Sequence, residues 1–132
     1  MRMLTTCVMS ALTVAVSGCA GNGAGEGVSS QDCSAQVRRD GVVYTSYGYT
    51  DRPATEFGTA DEADCHDVGP NAEGSVFSED ARQVTVWSFH GFAPARVLGV
   101  RFDKESFAVF VAESVPRGDI DAIVRDLGRS PR

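Results

Sequence analysis

The chain has 132 residues, 42% of them apolar, and a formal net charge of −6. That is enough for one domain with a real core. The acidity argues against a nucleic-acid partner and against a polybasic grip on anionic lipid headgroups.

The N-terminal stretch carries the strongest signal. Arg2 supplies a positive charge, and Leu4 to Ser17 is uncharged and mostly apolar, with Leu4, Val8, Met9, Leu12, Val14 and Val16 as its apolar residues. This run is the length of a signal-peptide core and falls short of the roughly 20 residues that span a bilayer as a helix. It ends in Val16-Ser17-Gly18-Cys19, which has the form of a lipobox. The small residues at 17 and 18 let an extended backbone enter a peptidase cleft, and Cys19 offers the thiol that takes lipid. Residues 1–18 are therefore expected to be a lipoprotein signal peptide, with Cys19 as the lipidation site. Removing them takes away Arg2 and no acid, which moves the formal charge from −6 to −7. Lipid on Cys19, rather than charge, would hold the mature chain to the membrane; two or three acyl chains anchor stably where one does not. The expected location is extracytoplasmic, on the cell envelope.

The four cysteines divide accordingly. Cys7 leaves with the signal peptide and Cys19 is lipidated, so Cys33 and Cys65 remain in an oxidising compartment and pair as a disulfide. Closing that loop should stabilise the fold by about 3.7 kcal/mol on the chain-entropy account. Lys104 is the only lysine against eleven arginines, a skew that suggests a GC-rich coding genome.

Residues 19–31 read as the lipidated cysteine and a tether, with glycine at 21, 23, 25 and 27. A flexible segment of this length spans about 19 Å on average. Residues 32–132 read as a single disulfide-bonded β-rich domain. Val37 to Tyr44 has the pattern of a hairpin, with Asp40-Gly41 as its type I′ turn. Tyr44, Tyr47 and Tyr49 extend it; their packing on a sheet face is the expectation, with a recognition surface as the alternative. Residues 50–81 are polar and weakly periodic, with a short strand over 57–60, a loop at Gly69-Pro70-Asn71 and scope for functional loops.

The second half carries the core. Arg82 to Phe89 has apolar residues on both faces, Val84 and Val86 against Trp87 and Phe89, as a central strand or a bulge would. Gly91 to Pro94 breaks it. Arg96 to Phe102 sets Leu98, Val100 and Phe102 on one face, Asp103-Lys104-Glu105 turns the chain, and Phe107 to Ala112 runs back. After Pro116, Asp119 has the chemistry of an N-cap. Ile120, Ile123, Val124 and Leu127 follow at helical spacing, and Gly128 closes the segment. The fold class is mainly β: a small antiparallel sheet or sandwich of hairpins with one short C-terminal helix.

These features together resemble a family of uncharacterised small actinobacterial lipoproteins. The residues that carry the resemblance are the lipobox, the Gly-rich tether, Cys33 followed by Val37-x-x-x-Gly41-x-x-Tyr44, Asp64-Cys65-x-Asp67, and Gly91-Phe92-x-Pro94 before a valine-rich strand. It covers roughly residues 15–115 and leaves out the C-terminal helix. The family has no assigned activity, so the resemblance implies location and architecture and nothing catalytic.

The densest chemistry lies in Asp61-Glu62-Ala63-Asp64-Cys65-His66-Asp67. Asp61, Glu62, Asp64 and Asp67 are oxygen donors of the kind calcium takes, but no EF-hand pattern or turning glycine gathers them. Zinc would need His66 and His90 together. Ser88 and His90 would share a strand face, yet there is no Gly-x-Ser-x-Gly elbow and no phosphate-binding glycine loop. No catalytic residue, metal site or cofactor is assigned. The leading expectation is a non-catalytic binding or interaction module with an envelope or extracellular partner. The alternative is an extracytoplasmic hydrolase or metal-dependent enzyme using the acidic 61–67 segment and His90.

Overall fold

The computed structural model describes residues 29–30, 33–66 and 68–128. Cys7, the lipobox with Cys19, most of the tether and Asp67 lie outside the described residues. The elements in chain order are β1 (Ser29–Ser30), β2 (Gln36–Arg39), β3 (Val42–Thr50), β4 (Ala54–Glu62), β5 (Asp64–His66), β6 (Val68–Gly69), β7 (Gly74–Val76), β8 (Gln83–Phe89), β9 (Val97–Arg101), β10 (Phe107–Ala112) and α1 (Arg117–Leu127). The fold is mainly β and antiparallel, as the pattern indicates. It is not a two-layer sandwich, however, because six strands close into a barrel in the order β10-β3-β2-β4-β8-β9. Two small ladders lie beside it, β1 with β6 and β5 with β7.

The first hairpin forms where expected. Asp40 and Gly41 have φ of 52° and 78°, the pair of positive values a type I′ turn requires. Gln36 then faces Thr45 and Val37 faces Tyr44 across the ladder.

Closure of so small a barrel needs strands that bend, and the two longest strands do so in the same way. In β3 the register with β10 shifts between Ser46 and Gly48, leaving Tyr47 as an extra residue. In β4 the register with β8 shifts between Glu56 and Gly58, leaving Phe57 extra. Each is a β-bulge made of an aromatic residue followed by glycine, and Gly48 and Gly58 have φ of 143° and 155°. Both bulged aromatics point partly into solvent. The irregular apolar pattern of 82–89 thus belongs to a strand flanked on both sides, with the bulge on its partner β4.

Inside, Val37, Tyr44, Val86, Phe89, Leu98, Val109 and Val111 form part of one buried cluster. Both alternating sets of β10 are buried, Phe107, Val109 and Val111 on one side and Phe110 and Ala112 on the other. A closed sheet covers only one of those faces. The stripe of α1, Ile120, Ile123 and Leu127, joins the same cluster, with the helix against β3. The helix is fixed at its end by Thr50, whose buried hydroxyl donates to the Leu127 carbonyl, and by Arg52, which donates to the Asp126 carbonyl at 2.7 Å.

Four expectations change. The polar stretch 50–81 is largely strand: β4 alone runs nine residues. Its alternation is hidden because its inward side is small, with only Ala60 fully buried. Of the three tyrosines only Tyr44 packs in the core, its hydroxyl donating to the Pro94 carbonyl at 3.0 Å; Tyr47 and Tyr49 are exposed. Phe102 falls just past the end of β9 and is 64% exposed, so it leaves the face of Leu98. Asp119 is not the N-cap: Pro116 is, with an extended backbone, and Asp119 sits in the first turn, paired with Arg96 at 3.1 Å. Gly128 closes the helix as expected, though in a right-handed conformation.

The Asp103 turn is as read, and its chemistry is explicit. Its carboxylate accepts the backbone N–H groups of Glu105 and Ser106 at 2.8 Å each.

Gly58 combines a positive φ with a close neighbour. A Cβ there would lie 2.7 Å from Nη1 of Arg39, on a backbone that L side chains rarely adopt. Gly58→Ala should cost about 1–3 kcal/mol, read as a drop of at least about 5 °C in the melting midpoint. A midpoint unchanged within a degree would mean that the bulge does not need glycine.

Candidate functional site

The acidic segment is drawn out along strands rather than gathered around a point. Asp61 and Glu62 end β4, and Asp64 opens β5 after the single residue Ala63. Neighbouring side chains of a strand point to opposite faces, so the carboxylates diverge. Each described one has its own partner. Asp61 accepts from Arg38 at 2.9 Å and from the Gln83 amide; Glu62 pairs with Arg82; Asp64 accepts from the Ser78 hydroxyl at 3.5 Å. His66 faces Glu73 at 3.8 Å. Among the described residues, no three His, Cys, Asp or Glu side chains come together in a way that could hold a metal ion.

His90 is remote from this segment. The β4–β8 ladder pairs Asp61 with Gln83 at one end and Ala54 with Phe89 at the other, and His90 follows Phe89. Along the strand that is on the order of 20 Å. Ser88 does not engage His90; its hydroxyl donates to the Thr55 carbonyl at 3.5 Å. Among the described residues, Asp61, Glu62 and Asp64 are not brought together with His90.

The disulfide does form, between Cys33 and Cys65, with Cα atoms 5.7 Å apart across a sequence separation of 32. It ties the start of the domain to β5. The β5–β7 ladder, in which Cys65 faces Ser75, is therefore held to the segment before β2, and the Ser75 hydroxyl adds a bond to the Ser34 carbonyl.

Two surface features stand out, and only the second, through its clustered tyrosines, had a signal in the sequence. The first is an open groove of about 590 Å³ along the seam between β8 and β9, which are joined by the single ladder pair Trp87–Gly99. Glu56, Arg82, Thr85, Trp87, Val100 and Arg101 line it. The Arg101 guanidinium lies over the rings of Trp87 and Phe107 at 4.7 and 4.6 Å. This is shallow, mixed-charge recognition chemistry, without a paired acid and base. The second is an exposed aromatic face. Tyr49 and Phe102 are 60% and 64% exposed and meet at a tilt of 52° with ring centroids 4.6 Å apart. Tyr47 stands nearby on the same strand, beside Ile120 and Val124 of α1. Beside the clustering of the tyrosines, an isolated glycine after an aromatic inside a strand pattern marks a bulge, and hence an aromatic turned outward.

Hydrogen bonds from Arg38, then from Gln83, hold the Asp61 carboxyl below its ordinary value of 3.8. A depressed native pKa stabilises the fold above the unfolded value, and that contribution is lost as pH falls through the native one. The melting midpoint of the parent should therefore exceed that of Asp61→Asn by a constant margin above about pH 5, with the margin closing in acid below 3.8. A margin independent of pH would assign the effect to packing.

Calcium is expected to move the midpoint by no more than a degree or two, through screening. A site saturated at 100 times its dissociation constant would add about 2.7 kcal/mol, or roughly 10–20 °C. A rise of that size, abolished in Asp61→Asn with Asp64→Asn, would establish a site.

No curated protein and no solved structure is similar enough to this chain to count as a match. The sequence model of a family of unknown function (DUF6281) matches residues 25–130, which takes in the whole barrel and α1 and begins past Cys19. The chain belongs to that family.

Proposed function

We propose that this chain is a lipid-anchored extracytoplasmic protein that acts as a non-catalytic binding module of the cell envelope. The observation that supports this best is the division of labour on the barrel surface. The described members of the acidic segment are each engaged singly, while Tyr47, Tyr49 and Phe102 stand exposed where a partner could reach them. Exposed aromatic rings are the side chains most suited to forming a contact surface at low entropic cost. The Cys33–Cys65 disulfide fits an oxidising compartment. The lipobox at 16–19 supplies the anchor, and its short apolar run supplies the export signal.

Expression of the full chain in a bacterium fed a labelled fatty acid tests the anchor. The parent should carry label and fractionate with membranes, while Cys19→Ala should lose both. Incorporation of label by Cys19→Ala would remove the lipid-anchor reading.

A further inference from the structure

We propose that the Cys33–Cys65 disulfide is a latch: a dithiol reductant that opens it releases β5, β6 and β7 as an arm, together with the entry segment before β2, while the six-stranded barrel stays closed. The inference goes beyond the proposed function and stands without the anchor at Cys19.

The first argument is where the arm is rooted. β4 and β8 pair from Ala54–Phe89 to Asp61–Gln83, and past that point the Glu62 backbone N–H donates to the Arg82 carbonyl at 2.8 Å. The Ala63 N–H donates to the Gln36 carbonyl at 3.0 Å, which carries β4 further along β2. The chain leaves the barrel after Ala63 and returns at Arg82, so the barrel's own ladder holds the two roots together. Displacing what lies between them requires no loss of barrel pairing.

The second argument is what holds the arm down. The buried apolar side chains of the core lie at 37–60 and 86–127, and none comes from β5, β6 or β7. All three residues of β5 are exposed, and Val68 of β6 is 71% exposed. The ties are polar or covalent instead. β1 pairs with β6, the Ser75 hydroxyl donates to the Ser34 carbonyl at 2.5 Å, and the Arg38 guanidinium lies 4.7 Å from the Phe77 centroid. Exposed contacts of these kinds contribute about 1 kcal/mol each. Two of the three reach the entry segment rather than a barrel strand, and ladders of two or three residues do not stand alone in water. The covalent bond is the dominant tie for arm and entry segment alike.

The third argument is access. Cys65 is exposed and Cys33 half-buried, and exposed disulfides are the readily reduced class. One thiolate of the dithiol attacks a sulfur of the pair, the Cys33–Cys65 bond breaks, and a mixed disulfide forms. The second thiolate then displaces the protein sulfur and closes the reagent's own disulfide. The dithiol gives up two electrons and two protons, and Cys33 and Cys65 end as thiols. The entry segment then first meets a barrel strand at Ala35, whose carbonyl accepts the Ser46 N–H at 2.9 Å. One consequence does rest on the anchor at Cys19. The chain free to span from anchor to barrel grows from residues 20–28 to residues 20–34, with extended limits of about 30 and 50 Å.

The test uses the full chain carrying Cys7→Ser and Cys19→Ser, which leaves Cys33 and Cys65 as its two cysteines. Proton–nitrogen amide spectra are recorded before and after dithiothreitol, on the native plateau of each state, so that the bond's effect on the unfolded chain does not enter. On reduction the amides of Ser34, Cys65, His66, Ser75 and Val76 should move into the narrow range of an unstructured chain. Those of β8 and β10 should shift by less than a line width, and the emission of Trp87, the one tryptophan, should stay unchanged. Adding Cys33→Ser and Cys65→Ser should give the reduced spectrum without any reductant. Arm amides that keep their dispersion after reduction overturn the proposal, since weak contacts would then suffice to hold the arm. So does a loss of dispersion in β8 and β10, or a reduced chain with no native plateau, either of which makes the bond a support of the barrel. None of these outcomes involves fatty-acid labelling, so failure of the latch and failure of the anchor are read separately.

Discussion

Everything in this fold depends on two strands bending sharply enough for six to close. Each of the long strands β3 and β4 holds a single extra residue, and in each it is an aromatic followed by a glycine with positive φ. The glycine gives the backbone a conformation that a side chain would resist, and the aromatic is the residue displaced outward. The device that closes the barrel is therefore the same one that leaves Tyr47 and Phe57 at the surface. At Phe57 the exposed ring is covered by Arg39, whose guanidinium lies 4.8 Å from its centroid. Tyr47 is flanked by α1 instead.

The arginine excess has a structural meaning. Arg38, Arg39 and Arg101 lie over Phe77, Phe57 and the Trp87–Phe107 pair, each within 5 Å of a ring centroid. A planar guanidinium can stack on a ring and keep its edge donors for carboxylates and carbonyls, which an ammonium does less well. Arg38 does both, covering Phe77 while bonding Asp61, and Arg101 reaches the carbonyls of Asp103 and Lys104. These exposed pairs add modestly to stability. At the end of β4, Arg38 and Arg82 engage Asp61 and Glu62.

The elements legible in the sequence were those with strong local chemistry. Asp40-Gly41 requires a tight turn, Asp103 caps its own turn, and Ile120, Ile123 and Leu127 mark a helix by spacing alone. The disulfide followed from compartment and arithmetic. Of β4 only residues 57–60 read as strand, because Gly58 and Ala60 give that stretch little apolar signal and the full strand is held by β8 rather than by its own preference. Closure into a barrel was equally hidden: the seam between β8 and β9 brings Trp87 to Gly99, and nothing local to either residue encodes that meeting. The same holds for the candidate surfaces. Phe102 alternates with Leu98 and Val100 and reads as core, yet the strand ends one residue too soon to bury it.

The bond from Thr50 to the Leu127 carbonyl spans 77 positions, and β10, which seals one whole side of β3, begins at Phe107. Most of the chain must therefore exist before β3 has both its neighbours. Until then its nine residues present an unpaired edge, with Tyr47 and Tyr49 on it, to any other chain in the same condition. Contacts this distant in sequence also slow the search for the native state. The molecule thus has a long interval in which it is an open sheet, sealed only by its last quarter. A chain cut short anywhere before Phe107 is an adhesive strand edge rather than a smaller version of the domain.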